Sequence, residues 1–253
     1  MKEQYMWRMD QYNKQRDNMN KKSEMKGILK SMNEAEQHKE KEREEQKRLT
    51  SRDYLRRGNC AFDKKNYMEA IDAYTEAIRL NPDYMIAYNN RGYTYDNQGE
   101  YEKAILDYTE AIHLNPDYPE LYSNRGYTYD NQGEYEKAIA DYTEAIRLNP
   151  DYSEAYSNRG CTYDNQGKYE KAIADYTEAI HLNPDYARAY NNRGYTYDNR
   201  GEYEKAIADY TEAIALKPNY KKAYLNRAEA YRAIGETALA EQDEEYAAGI
   251  ETK

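Results

Sequence analysis

The stretch YNNRGYTYD, residues 88–96, returns as YSNRGYTYD at 122–130, YSNRGCTYD at 156–164 and YNNRGYTYD at 190–198. Catalysis needs one constellation of unlike groups in one place, whereas a motif copied four times along a chain suits a unit that stacks on itself. Extending outward from the motif, Gly58, Gly92, Gly126, Gly160 and Gly194 keep a step of 34 residues, and Pro82, Pro116, Pro150, Pro184 and Pro218 keep the same step. Five full copies cover residues 51–84, 85–118, 119–152, 153–186 and 187–220, and a degenerate sixth, 221–253, closes the array.

Within the copy at 85–118 a first helix is expected from Met85 to about Gln98. Gly99 marks the turn, because a residue without Cβ takes positive φ at no steric cost. Beyond it Tyr101, Ala104, Ile105, Tyr108, Ala111 and Ile112 recur at the spacing of one helical face. Asn115 and Pro116 end this second helix, since Pro has no amide hydrogen to donate and crowds the preceding turn. Each copy is therefore a short antiparallel helix pair. Composition agrees: 39% of residues are hydrophobic and 32 are Tyr against one Phe and one Trp. A core one helix layer deep, where Tyr buries its ring and keeps its hydroxyl near water, suits such a chain better than a thick globular centre.

The pattern Tyr88, Arg91, Gly92, Tyr95, Ala104, Tyr108 and Pro116 resembles the tetratricopeptide repeat, with Tyr for the usual Trp and Phe and Arg for the usual Leu before the glycine. The resemblance covers residues 51–253 and implies an all-α, right-handed superhelical solenoid whose concave groove is lined mainly by the first helices. Gly92 and Ala104 are then small because the paired helices approach closely, and Tyr108 and Ala111 face the neighbouring repeat. Arg91, with Arg57, Arg125, Arg159, Arg193 and Arg227, takes a buried position and needs a partner. Asp107, Asp141, Asp175, Asp209 and Asp243 on the second helices are the available carboxylates, and the first copy has Ala73 instead. In the last copy Thr237 and Glu244 replace second-helix tyrosines, as a solvent-facing cap requires.

Residues 1–50 lie outside the period and form a charged N-terminal extension, helical or disordered. They hold 13 Lys plus Arg against 10 Asp plus Glu, a net of +3, which leaves −13 of the chain's −10 for the repeats. Tyr5, Met9 and Tyr12, then Met25, Ile28, Leu29 and Met32, have helical spacing, but no heptad persists, and residues 34–48 are nearly all charged. The extension either stays apart or docks on the acidic solenoid.

Packing leaves few repeated residues free for binding. One column is Asn90, Asn124, Asn158, Asn192 and Asn226; beside it run Tyr93, Tyr127 and Tyr195, and then Asp96, Asp130, Asp164 and Asp198. An amide has both a donor and an acceptor, so a file of them suits the backbone of an extended peptide, with Tyr adding flat contact area and Asp favouring basic or hydroxyl-bearing segments. The Asn column resembles the asparagine ladder in the tetratricopeptide superhelix of protein O-GlcNAc transferase, without its catalytic domain. Copying a whole repeat also preserves surface residues that do nothing, so a solvated helix face remains the alternative for these columns. The family's carboxylate clamp for chaperone tails fits less well: Asn59 and Asn90 match its asparagines, but Leu55, Glu120 and Asn124 stand where it needs cations.

The remaining classes are excluded on chemistry. A charge of −10 opposes phosphate neutralisation, so a nucleic-acid partner is not expected. No apolar run reaches membrane length or makes a secretory leader, and a cytoplasmic location is the default. Cys60 and Cys161 lack metal-site spacing, and His113 and His181 occupy a position that is Arg79, Arg147 or Ala215 in other copies. No phosphate loop or catalytic nucleophile motif is present. The expectation is a non-catalytic interaction scaffold without metal or cofactor, binding a basic or neutral protein segment rather than a small molecule. A self-assembling structural role is the alternative, and a co-chaperone the third.

Overall fold

The computed structural model describes residues 2–250 as a stack of helices; the last three residues of the cap lie outside the described residues. Twelve helices follow in order, with no strand among the described residues: α1 (Lys2–Asp63), α2 (Tyr67–Leu80), α3 (Met85–Asn97), α4 (Tyr101–Leu114), α5 (Pro119–Asn131), α6 (Tyr135–Leu148), α7 (Ser153–Asn165), α8 (Tyr169–Leu182), α9 (Ala187–Asn199), α10 (Tyr203–Leu216), α11 (Lys221–Ala233) and α12 (Thr237–Gly249). Each odd helix pairs with the even helix that follows, and each even helix packs in turn on the first helix of the next repeat.

Local sequence explains the turns. Gly99, Gly133, Gly167, Gly201 and Gly235 all have φ between 70° and 85°. At the first of them Gly99 N–H donates to Asp96 C=O at 3.0 Å and Glu100 N–H to Tyr95 C=O at 2.9 Å, the two bonds of a Schellman ending. The first repeat makes the same turn with Lys65 at φ 60°, a conformation that strains a residue with a Cβ. After the second helices, the Asn side chain of Asn-Pro-Asp accepts from the backbone two residues on, as from Asp151 to Asn149 at 3.2 Å.

The core is thin and made mainly of Ala and Tyr. Ala104, Ala138, Ala172 and Ala206 are fully buried, as are Ala111, Ala145, Ala179 and Ala213, and the rings of Tyr108, Tyr142, Tyr176 and Tyr210 lie between helices. The glycine of the opening motif is small for a specific reason. A Cβ on Gly194 would meet Tyr210 Cε1 at 2.9 Å and the Ala206 carbonyl at 3.2 Å. The Tyr ring also reaches forward: Tyr210 packs with Ala230 of the following repeat, so one side chain fills both its own pair and the next interface. In the last repeat Ala228 replaces the glycine and Glu244 the tyrosine, so the added methyl arrives where the ring is gone.

Every central repeat holds a buried ion pair. Arg125 donates through Nε to Asp141 Oδ2 at 2.7 Å and through Nη2 to Oδ1 at 2.8 Å, while its Nη1 donates to Thr109 Oγ1 of the preceding repeat at 3.0 Å. The same three bonds join Arg91 to Asp107 and Thr75, Arg159 to Asp175 and Thr143, Arg193 to Asp209 and Thr177, and Arg227 to Asp243 and Thr211. The expected pairing therefore lies within each repeat, and the hydroxyl ties it to the one before. Arg57, facing Ala73, turns instead to Glu69 at 2.9 Å, open to solvent.

Helix α1 runs unbroken through the boundary between the extension and the first repeat. Its 62 residues reach about 93 Å at 1.5 Å per residue. Among the described residues it touches α2 and α3. Residues 36–48 are exposed throughout, and so are Met9, Met25 and Met32; the side chains of Tyr5, Tyr12, Ile28 and Leu29 lie outside the description. At the far end α12 keeps a largely exposed outer face, with Glu244 paired to Arg232 at 2.5 and 2.6 Å.

Removing one member of a buried bidentate pair strands the other charge, whereas removing both leaves an apolar site. Asp141→Ala is expected to lose about 3 kcal/mol in urea unfolding, and Arg125→Leu combined with Asp141→Ala to recover most of it. A double variant as unstable as the single would show that the pair is not what holds this layer.

Candidate functional site

Consecutive first helices touch, α1 with α3, α3 with α5, and so on to α11, while consecutive second helices do not approach among the described residues. The stack therefore curves with the first helices, which carry the Asn, Tyr and Asp columns, on its inner side.

The Asn column is half-buried at all five positions, and its rungs are of two kinds. Asn124 Nδ2 donates to Asn89 Oδ1 at 3.0 Å, Asn226 Nδ2 to Asn191 Oδ1 at 3.2 Å, and Asn90 Nδ2 to Asn59 Oδ1 at 3.0 Å. These three spend an amide hydrogen on the preceding repeat. For Asn158 and Asn192 the residue in that place is Ser123 or Ser157, too short to reach, and the buried Ser157 hydroxyl has no partner among the described residues. Asn158 Oδ1 instead accepts from Arg188 at 3.5 Å and Asn192 Oδ1 from Asn191 at 3.4 Å. The amide hydrogens of Asn158 and Asn192 thus make no hydrogen bond among the described residues.

Tyr93, Tyr127 and Tyr195 stand out from the first helices with 47%, 46% and 45% of their surface open, a large exposure for aromatic rings. Cys161 takes that place in the fourth repeat, half-buried, and burial pushes its thiol up. At the first cleft Phe62 stacks against Tyr93 at 5.4 Å between centroids. A cavity of about 290 Å³ opens there, lined by Asn59, Phe62, Asp63, Tyr74, Asn90 and Tyr93. The Tyr74 hydroxyl at its floor donates to Asn59 Oδ1 at 2.9 Å, and burial pushes its pKa up to about 12.

The Asp column sits deeper than the Tyr column. Asp96, Asp130 and Asp164 each have one carboxylate oxygen sealed from solvent with no partner among the described residues. Burial holds all three above the usual carboxylate range. The threonine alongside each, Thr128, Thr162 or Thr196, works against this without overcoming it, joined at Asp130 by Asn165, while each threonine hydroxyl also donates to a backbone carbonyl in its own helix. Asp198 is raised too, by burial and then by Glu229. The hydroxyls of Tyr108 and Tyr210, buried below, have no partner among the described residues, and burial raises both strongly, followed by the charge of Asp96 or Asp198. Each of these clefts thus holds an unused donor near a carboxylate. Such a floor accepts hydrogen bonds from a ligand or from trapped water.

No group of three or more His, Cys, Asp or Glu side chains among the described residues is arranged to hold a metal ion, and no described helix is long and apolar enough to cross a membrane.

Comparison with known proteins bears on the same residues. The tetratricopeptide repeat family model matches residues 86–118, 119–152, 153–186 and 187–220, and a second model, described as a TPR repeat, matches 58–99. No match is found among curated protein sequences. Among solved structures, MamA is 28% identical with a TM-score of 0.59 over 68% of this chain and 94% of its own. A tetratricopeptide repeat protein from Parabacteroides merdae has a TM-score of 0.68 at 24% identity, covering 81% of both chains. YrrB, described as a TPR protein with an unusual peptide-binding site, has a TM-score of 0.54 at 23% identity, over 67% of this chain and 88% of its own.

The buried carboxylates make a stability test possible. Because each folded-state pKa lies above the unfolded one, ionising these groups costs stability at neutral pH, and the cost vanishes below the ordinary carboxylate value of about 3.9. Asp96→Asn, Asp130→Asn and Asp164→Asn combined should raise the urea midpoint above wild type at pH 7, with the gain shrinking as pH falls through the raised carboxylate values and gone below about 4. Equal midpoints at pH 7 would mean that the carboxylates are satisfied in solution.

Proposed function

The chain belongs to the tetratricopeptide repeat family, and on that premise we propose that it is a non-catalytic scaffold holding an extended segment of a partner protein along its concave groove. The observation that carries this reading is the file of Asn90, Asn124, Asn158, Asn192 and Asn226 on the inner helices, with Tyr93, Tyr127 and Tyr195 exposed beside it. Helices pack 8–10 Å apart and an extended chain rises about 3.3 Å per residue, so one rung meets roughly every third residue of a bound segment. Amides at that interval hold backbone without choosing side chains. Asn158 and Asn192 are the principal contacts, because their amide hydrogens are not engaged by a neighbouring repeat. The floor carboxylates favour a partner whose side chains donate hydrogen bonds. YrrB, with its peptide-binding site, is built on the same fold.

A second reading follows from α1. Its 62 residues form one helix of which residues 36–48 are exposed, and such a rod suits a structural role in which the arm joins copies or spaces the groove from an attachment point.

Changing Asn124, Asn158 and Asn192 together to Ala is expected to weaken partner capture at least tenfold while leaving helical content unchanged, read by quantitative pull-down and far-ultraviolet circular dichroism. Undiminished capture by the folded triple variant defeats the groove reading. Loss of capture on removing residues 2–50, with the groove intact, would favour the arm.

A further inference from the structure

In repeats copied almost letter for letter, the positions that differ are the ones where copying has been overridden. One such column begins the first helices: Arg52, Ile86, Glu120, Glu154, Arg188 and Lys222. It borders the ladder. Arg188 of the fifth repeat reaches Asn158 of the fourth at 3.5 Å, and Arg52 lines a separate pocket that shares Asn59 with the first cleft. Among the described residues none of Glu120, Glu154, Arg188 and Lys222 makes a salt bridge, although the surface is otherwise laced with i,i+3 pairs such as Arg147 with Glu144 at 2.7 Å. Glu120 keeps a sealed oxygen, Oε2, without a donor among the described residues, and Asp130, at the other end of the same helix, keeps another.

Resting on the groove reading above, we propose that this column sets the direction and register of the bound segment, and that the partner carries a basic stretch against Glu120 and Glu154 followed by an acidic stretch against Arg188 and Lys222. The amide ladder supplies affinity without regard to sequence, and the charged column supplies the choice. Two carboxylates followed by two cations, one per repeat, match a segment whose charges recur every third residue and change sign once. The overall acidity of the solenoid does not describe this site, because the end formed by α9 and α11 is locally basic, with Lys221 beside Lys222. The complementary charges are exposed or half-exposed, so their contribution is modest per pair and depends on salt.

The test uses the full chain and three fluorescein-labelled peptides of identical composition in a Ser/Ala background, their charged residues three apart: Lys-Lys-Glu-Glu, Glu-Glu-Lys-Lys, and the alternating Lys-Glu-Lys-Glu. At 50 mM salt one of the two blocked peptides should bind about tenfold more tightly than the alternating one, and the better of the two reveals the direction of the bound chain. The variant combining Glu120→Lys, Glu154→Lys, Arg188→Glu and Lys222→Glu should transfer that preference to the other blocked peptide. Asn124→Ala, Asn158→Ala and Asn192→Ala together should weaken all three equally. Binding of all three within twofold of one another overturns the charge proposal and leaves the groove reading standing. Failure of all three to bind overturns both.

Discussion

Every central layer of this solenoid is fastened by one guanidinium. Arg125 spans three helices, gripping Asp141 on the second helix of its own repeat and Thr109 on the second helix of the repeat before it. An apolar side chain in that place fills space without fixing angles, whereas a planar fork with two parallel bonds accepts one orientation. Because the fork repeats in five successive repeats, the rotation from one repeat to the next is set by hydrogen-bond geometry as well as by packing. A chain with so few large aliphatic residues gains its order from this. The same fork spaces the inner helices, and with them the rungs of the Asn column.

The period, the helix pairs and the Arg to Asp pairing were legible in the sequence because each depends on spacing within one repeat. Gly99 and Pro116 mark where helices stop, and Arg91 and Asp107 lie 16 residues apart on facing helices. Less could be read wherever two repeats meet. That Asn124 spends its amide on Asn89, 35 residues earlier, depends on how closely one layer sits on the next. The pairing leaves a trace nonetheless: the position before each ladder Asn reads Asn, Ser, Ser, Asn in the second to fifth repeats, and a Ser there frees the next rung. The depth of Asp96, Asp130 and Asp164 left no trace, since an exposed and a half-buried aspartate look alike in a helix pattern.

Repetition itself separates structure from function here. The Gly, the Arg and the second-helix Tyr and Asp never vary among the central repeats, and each has another of these repeated columns as its neighbour in space, the Gly against the Tyr ring and the Arg against the Asp. A change at one would have to be matched at its neighbours, as Ala228 and Glu244 are matched at the end of the stack. The positions that begin the first helices, Arg52 through Lys222, form no salt bridge among the described residues and carry no such constraint. Their differences, from Ile86 through Glu120 to Arg188, are therefore free to answer to something outside the chain.

The first repeat departs from the others in three ways: Lys65 holds a left-handed turn, Ala73 leaves Arg57 without its buried carboxylate, and Arg57 turns to an exposed Glu69. Stability in a stack of this kind is shared between neighbours, and an end layer has a neighbour on one side only. The layer with the weakest fastening is thus also the one from which α1 projects. The long helix then works as a lever on the loosest joint: a load at its far end reaches α2 before any other helix. The orientation of the arm and the integrity of the groove's entrance become one mechanical variable.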